Sequence, residues 1–316
     1  MKPHNFKIIV FVLTGVLFLT VSFVYAETAE EYFNRGFACD EQGNTTQAIS
    51  NYTKAIELNP NFAGAYSNRG NDYSRKGDYD KALSDYNKAI ELNPNLAEAY
   101  CSRGLAYSKQ GNLPQAISDC TKAIEINPNL AEAHYDRGLA YANQGNLSQA
   151  ISDYTKAIEI NPNYAEYYYS RGLVYSKTSN PAQAIPDFNK VLEINPNYAE
   201  VYYNRGLIYF QQSNLSQAIS DFNNAIRIDP KYQSAYCNRG VAYTAQGNFT
   251  QAISDLTKAL EINPNDVVSY INRGPAFYQV KEYDKAWADV HKAEELGYTF
   301  EPKFLDDLKK ASGRDK

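Results

Sequence analysis

The chain has 316 residues, 31 of them basic and 36 acidic, for a formal net charge of -5. That balance argues against nucleic acid or an anionic membrane as the main partner, and no run of Lys or Arg supplies a basic face locally. The length would ordinarily suggest two globular domains, but an internal period overrides that expectation.

The first 26 residues stand apart. Lys2 and Lys7 flank a short polar start, Ile8 to Tyr25 is apolar or small throughout, and the stretch closes on Val24-Tyr25-Ala26. This composition predicts a secretory leader cut before Glu27. The rival is an uncleaved anchor, because about 18 apolar residues just span a bilayer and Lys2 and Lys7 would stay inside. No Cys follows the apolar run, which argues against a lipoprotein leader. The repeats are therefore expected outside the cytoplasm, periplasmic or secreted, or else anchored in the membrane by residues 8–25.

From Ala29 onward the chain repeats. Arg-Gly recurs at Arg35-Gly36, Arg69-Gly70, Arg103-Gly104, Arg137-Gly138, Arg171-Gly172, Arg205-Gly206, Arg239-Gly240 and Arg273-Gly274, always 34 residues apart. Pro60, Pro94, Pro128, Pro162, Pro196, Pro230 and Pro264 keep the same step. A period of this size means a stacked array, in which each unit buries its apolar face only against the next. Eight units, starting at 29, 63, 97, 131, 165, 199, 233 and 267, make residues 27–300 one elongated domain.

Residues 131–164 serve as the type unit. His134, Gly138 and Tyr141 fall at i, i+4 and i+7, a helix with one buried stripe. Gly145 is expected to end it in the left-handed conformation. Ser148 is expected to cap a second helix, Gln149 to Glu159, that buries Ala150, Ile151, Tyr154, Ala157 and Ile158. Asn161-Pro162-Asn163 ends it. Gly138 and Ala150 are small because the two helices approach closely there. A large side chain at either would cost ~1–3 kcal/mol.

This spacing resembles the tetratricopeptide repeat (TPR) family, whose pattern sets a large residue, Gly, aromatic, Ala, aromatic, Ala and Pro at positions 4, 8, 11, 20, 24, 27 and 32. The second unit matches throughout, with Tyr66, Gly70, Tyr73, Ala82, Tyr86, Ala89 and Pro94. The resemblance implies an all-α fold: a right-handed superhelix, or α-solenoid, of eight helix-turn-helix repeats. It also implies a concave groove lined by the first helices, whose usual role is binding a peptide or protein.

Two departures matter. Position 7, usually apolar in the family, is Arg in all eight copies, and position 23 is Asp85, Asp119, Asp153, Asp187, Asp221, Asp255 and Asp289, with Asn51 in the first repeat. A guanidinium between helices must be paired or reach water along its stem. Arg69, Arg103, Arg137, Arg171, Arg205, Arg239 and Arg273 are therefore expected to form an ion-pair ladder with those aspartates. The alternative is an arginine row for anionic ligands. Loss of stability in Arg137→Leu, with partner binding unchanged, would favour the ladder.

Repeats 5 and 6 look weakest. Ser179 and Ser213 replace the turn glycine, and Pro186 lies inside the second helix of repeat 5. Residues 178–220 are accordingly expected to be a flexible zone. After Trp287, Pro302 to Ala311 places Phe304, Leu305 and Leu308 opposite Asp306, Lys309 and Lys310, so residues 301–316 read as a C-terminal capping helix and tail. Its apolar face offers an alternative use, self-association.

Chemistry is hard to find. His4 is in the leader, His134 fills a core aromatic place, His291 lies on the last repeat, and none sits at metal-ligand spacing. Phosphate-binding glycine loops and nucleophile elbows are missing. No catalytic residue, metal site or cofactor is expected. Cys39, Cys101, Cys120 and Cys237 read as small buried or half-buried thiols rather than a Cys101–Cys120 bridge. Asn44, Asn51, Asn146, Asn214 and Asn248 begin Asn-x-Ser/Thr triplets, four of them at turns where such residues cap helices anyway.

The family's groove takes positions 2, 5, 9, 12 and 13 of the first helix. A carboxylate clamp of the kind some members carry does not fit, since Asn71 is accompanied by Ser67, Ser102, Glu132 and Asp136 rather than cations. Instead the groove offers Tyr135, Tyr169 and Tyr203, Leu105, Leu139, Leu173 and Leu207, edged by Glu98, Glu132, Glu166 and Glu200. Such a strip suits an extended segment with apolar anchors and some basic residues. The plainer reading is that the tyrosines only cover neighbouring helices. The expected function is a non-enzymatic interaction scaffold in envelope assembly, with a protein or peptide partner. A carbohydrate-binding groove and a self-associating rod are the alternatives.

Overall fold

The computed structural model describes residues 27–314. The expected leader, with Lys2, Lys7, His4 and the cut expected before Glu27, lies outside the described residues. Every regular element among them is helical, and none of these helices is long and apolar enough to cross a membrane. The sequence leads one to expect a single elongated domain. The contacts divide the chain into two compact units, to Asn146 and from Leu147, with the border inside repeat 4.

The first unit contains α1 (Ala29–Glu41), α2 (Thr45–Leu58), α3 (Ala63–Arg75), α4 (Tyr79–Leu92), α5 (Ala97–Lys109), α6 (Leu113–Ile126) and α7 (Ala131–Asn143). Repeat 2 shows how the hairpin is made. Gly77 takes φ 79°, its N–H donates to Ser74 O at 2.9 Å, and the Asp78 N–H donates to Tyr73 O at 2.9 Å. That double bond is the glycine-terminated helix stop. Asp78 then caps α4 by accepting from the Lys81 N–H at 3.4 Å. Asn44 does the same for Gln47 at 3.3 Å in repeat 1. The cap is therefore the residue after the turn glycine.

The second unit contains α8 (Leu147–Ile160), α9 (Ala165–Ser176), a short 3₁₀ turn (Pro181–Gln183), α10 (Ala184–Ile194), α11 (Ala199–Gln211), α12 (Leu215–Ile228), α13 (Gln233–Ala245), α14 (Phe249–Ile262), α15 (Val267–Gln279), α16 (Tyr283–Glu295) and α17 (Pro302–Ser312). Because α8 starts at Leu147, Ser148 lies in its first turn and is not the cap, a correction to the expected boundary.

Ser179 and Ser213 resolve the same problem in opposite ways. Ser213 keeps the left-handed turn at φ 60°, with its Cβ in a conformation that L-residues enter at a cost of about 1 kcal/mol. Ser179 does not adopt it; the chain passes instead through the 3₁₀ turn, and α10 begins only at Ala184. Pro186 is thereby in the first turn of α10, where a missing N–H costs no internal bond. A third replacement went unread in the sequence: Lys281 occupies the turn-glycine place of repeat 8 at φ 63°.

Within each unit the first helices also touch one another, α3 with α5 and α5 with α7, then α11 with α13 and α13 with α15. The hairpins close on the small residues the pattern supplies. A Cβ on Gly70 would stand 2.7 Å from the Tyr86 ring, and one on Gly206 would stand 2.8 Å from Phe222. Opposite them, Ala82 and Ala218 are fully buried. At the end of the second unit, Leu308 of α17 and Phe300 are buried with Phe277, Trp287 and Val290, and the Trp287 Nε1–H donates to Ser312 Oγ at 3.1 Å.

Candidate partner-binding face and the arginine ladder

The arginines of position 7 lie on the inter-helix side. Arg205 Nε donates to Asp221 Oδ2 at 2.8 Å and Nη2 to Oδ1 at 2.7 Å, a two-pronged pair. Arg69–Asp85, Arg103–Asp119, Arg171–Asp187, Arg239–Asp255 and Arg273–Asp289 share this geometry. The third nitrogen reaches back one repeat: Nη1 of Arg69, Arg171 and Arg273 donates to Thr53, Thr155 and Thr257, and that of Arg103 to Asn87. Each guanidinium thus joins its own second helix to the preceding one. Burial opposes the charge on Arg205, and the Asp221 bonds overcome it, holding the guanidinium above its ordinary value. The Tyr202 ring lies 5.5 Å beneath it.

Two rungs differ. Arg35 faces no aspartate and pairs with Glu27 at the surface. Arg137, in the first unit, donates to Thr121 at 3.1 Å, and Asp153 is buried in the second unit. The threonines and asparagines of position 25 were not singled out from the sequence, although they keep the 34-residue step.

The residues expected to line the groove differ in depth. In the first unit, Leu105, Leu139 and Tyr135 are half-buried, and Glu98 and Glu132 are exposed. Phe37, at the same place in repeat 1 as the leucines, is 51% exposed and was missed for want of a leucine there. The clamp positions are used internally: Ser67 is buried, and Asn71 Oδ1 accepts from the Tyr86 hydroxyl at 2.8 Å. Asp136 approaches the Cys101 thiol at 3.5 Å, and burial pushes its carboxyl up to about 7.

In the second unit the tyrosines are less available than the leucines. Tyr169 is 6% exposed, its ring 5.2 Å from Tyr198 and 6.3 Å from Phe188. Tyr203, half-buried, has the same arrangement with Tyr232 at 5.0 Å and Phe222 at 6.0 Å. Tyr169 as a groove contact is therefore corrected: its ring fills the repeat's own core. Leu173 and Leu207 stay half-buried beside it. Burial raises the Glu166 carboxyl above its usual range, and Glu200 adds to that. The arginines of the same helices are committed elsewhere, Arg171 to Asp187 and Arg205 to Asp221.

His134 is buried with Nε2 3.1 Å from Pro128 O, the contact that the Tyr168 hydroxyl makes with Pro162 O at the same distance. Cys101, Cys120 and Cys237 are buried, and burial pushes the Cys237 thiol up to about 11.

Comparison with known proteins places this geometry. Models described as tetratricopeptide repeat match residues 29–62, 97–130, 131–164, 165–198 and 234–266, with a second such model on 51–84 and 188–220. A TPR repeat model matches 70–111 and 206–247, so the matches run without a gap from 29 to 266. No curated protein sequence matches the chain. Among solved structures it is similar to YrrB, described as a TPR protein with an unusual peptide-binding site, at 28% identity and a TM-score of 0.54 over 58% of this chain and 95% of that one. The Cut9–Hcn1 tetramer structure is similar at 19% identity and a TM-score of 0.50, over 89% of this chain and 55% of that one, a likeness of fold alone. Proteins built this way are generally interaction scaffolds rather than enzymes. With helical hairpins at a constant 34-residue step and family models matching along them, the chain belongs to the tetratricopeptide repeat family.

Proposed function

We propose that this chain is a non-enzymatic scaffold that holds an extended segment of a partner protein against the first helices of repeats 5 and 6. The observation that supports this reading is the half-buried leucine at position 9 of both repeats, Leu173 and Leu207, bordered by the carboxylates of Glu166 and Glu200. Apolar anchors beside acidic groups favour a segment that alternates apolar and basic residues. The likeness to YrrB, which its description calls peptide-binding, points the same way. We place the work outside the cytoplasm, in envelope assembly, on the strength of the leader composition of residues 1–26.

Crosslinking the chain in the envelope of the source cell, followed by co-purification, tests the reading. The expected result is a partner crosslinked to first-helix residues, with affinity lowered at least ~10-fold by Leu173→Asp combined with Leu207→Asp while helicity is retained. Unchanged affinity in the double variant would remove this face from consideration. A reporter active only outside the cytoplasm, fused after the leader, tests location.

A further inference from the structure

Asp72 stands at position 10 of its repeat, where the other repeats carry Ala38, Ala106, Ala140, Val174, Ile208, Ala242 and Ala276. It is fully buried, and its Oδ2 meets no hydrogen-bond donor. Its Oδ1 accepts from Arg75 Nη1 at 2.7 Å, and the same nitrogen donates to Asp40 Oδ1 at 2.8 Å. The other Asp40 oxygen accepts from the Tyr52 hydroxyl at 2.8 Å, which in turn receives Asn68 Nδ2 at 3.4 Å. Two carboxyls from successive repeats, one fully buried and one partly exposed, thus converge on one nitrogen of a half-exposed guanidinium. Like charges this close do not both ionise readily. Protonation relieves that repulsion and turns the Asp72 carboxyl into a donor beside Asp40, which shares its guanidinium nitrogen.

We propose that Asp40 and Asp72 share one proton at neutral pH, and that this proton fastens the first helical hairpin to the second. Burial, and after it Asp40, pushes Asp72 up to about 7. Burial opposes the charge on Asp40 too, but bonds from Asp72, Arg75 and Tyr52 outweigh it and hold Asp40 below its usual value. The surrounding charged and titratable groups are Asp40 from α1, Tyr52 from α2, and Arg75 and Lys76 at the end of α3. From α4, Tyr86 turns to Asn71. On α5, Arg103 is committed to Asp119 and Asn87, while Cys101 and Lys109 act on Asp136.

The sign follows from the raised Asp72. Its stabilising effect is complete below the unfolded value of about 3.9 and declines as pH rises towards 7, levelling off above. Asp40 acts oppositely, its contribution being lost only at the acid end.

Hydrogen exchange of the full chain, corrected for intrinsic rates, reads the effect locally. From pH 6 to 8, opening of α1 is expected to rise about tenfold while α13 and α14 stay constant. Carboxyl-carbon NMR should show Asp72 titrating near pH 7. Asp72→Asn should abolish the pH dependence, as should Asp72→Ala, which installs the residue of the sister repeats and settles the matter if the amide variant misfolds. Titration of Asp72 below about 5, in the ordinary carboxylate range, or an unchanged pH response in these variants, would overturn the proposal.

Discussion

Repeats 2 and 6 carry the same ladder and different first-helix faces. Arg69–Asp85 and Arg205–Asp221 match to within 0.1 Å, with Nη2–Oδ1 distances of 2.8 and 2.7 Å. On the other side of the same helices, Ser67, Asn71 and Asp72 of repeat 2 correspond to Tyr203, Leu207 and Ile208 of repeat 6. The period holds in the arginine–aspartate pairing and breaks at these first-helix positions. Selection on stacking acts on every copy alike, whereas selection on recognition or regulation acts on single copies.

The sharpest way to break that comparison is at the ladder. Arg205→Leu strands a carboxylate that is 5% exposed, and denaturant melts should show a loss of about 3–5 kcal/mol. Arg35→Leu, at the surface pair with Glu27, should leave the same melts unchanged. Equal losses at both sites would mean that the buried pairing contributes nothing special.

A smaller effect, of opposite sign in two repeats, concerns the helix-facing glycine. Gly206→Ala forces a Cβ against Phe222 at 2.8 Å and should destabilise by about 1–3 kcal/mol. Gly274→Ala meets its nearest atom at 3.5 Å and should be neutral or stabilising by up to about 1 kcal/mol, since alanine is the better helix former. Smallest of all are the turns: Ser213→Gly and Lys281→Gly should each raise stability by up to about 1 kcal/mol, and Ser179→Gly should not.

The architecture was legible because it is written eight times over in the glycines and alanines that set helix spacing, and seven times in the prolines at the turns. The ladder aspartates were legible for the same reason. What escaped is what one repeat does alone or what depends on depth. Asp72 looks like an ordinary polar residue until its neighbours bury it. Tyr169 looks like a groove residue until Phe188 and Tyr198 close over its ring. Ser148 and Asn146 both have cap chemistry, and only the helix start at Leu147 decides between them. Depth is a tertiary property, and a single sequence gives no direct measure of it.

Trp287 is the only tryptophan in the chain, and it sits where α17 closes the second unit, with its indole N–H on Ser312. Nature has thereby placed one intrinsic fluorophore at the last joint. Its emission should redden when the terminal helix peels away, before the remaining hairpins melt. Fraying of that end can then be followed optically without attaching any dye.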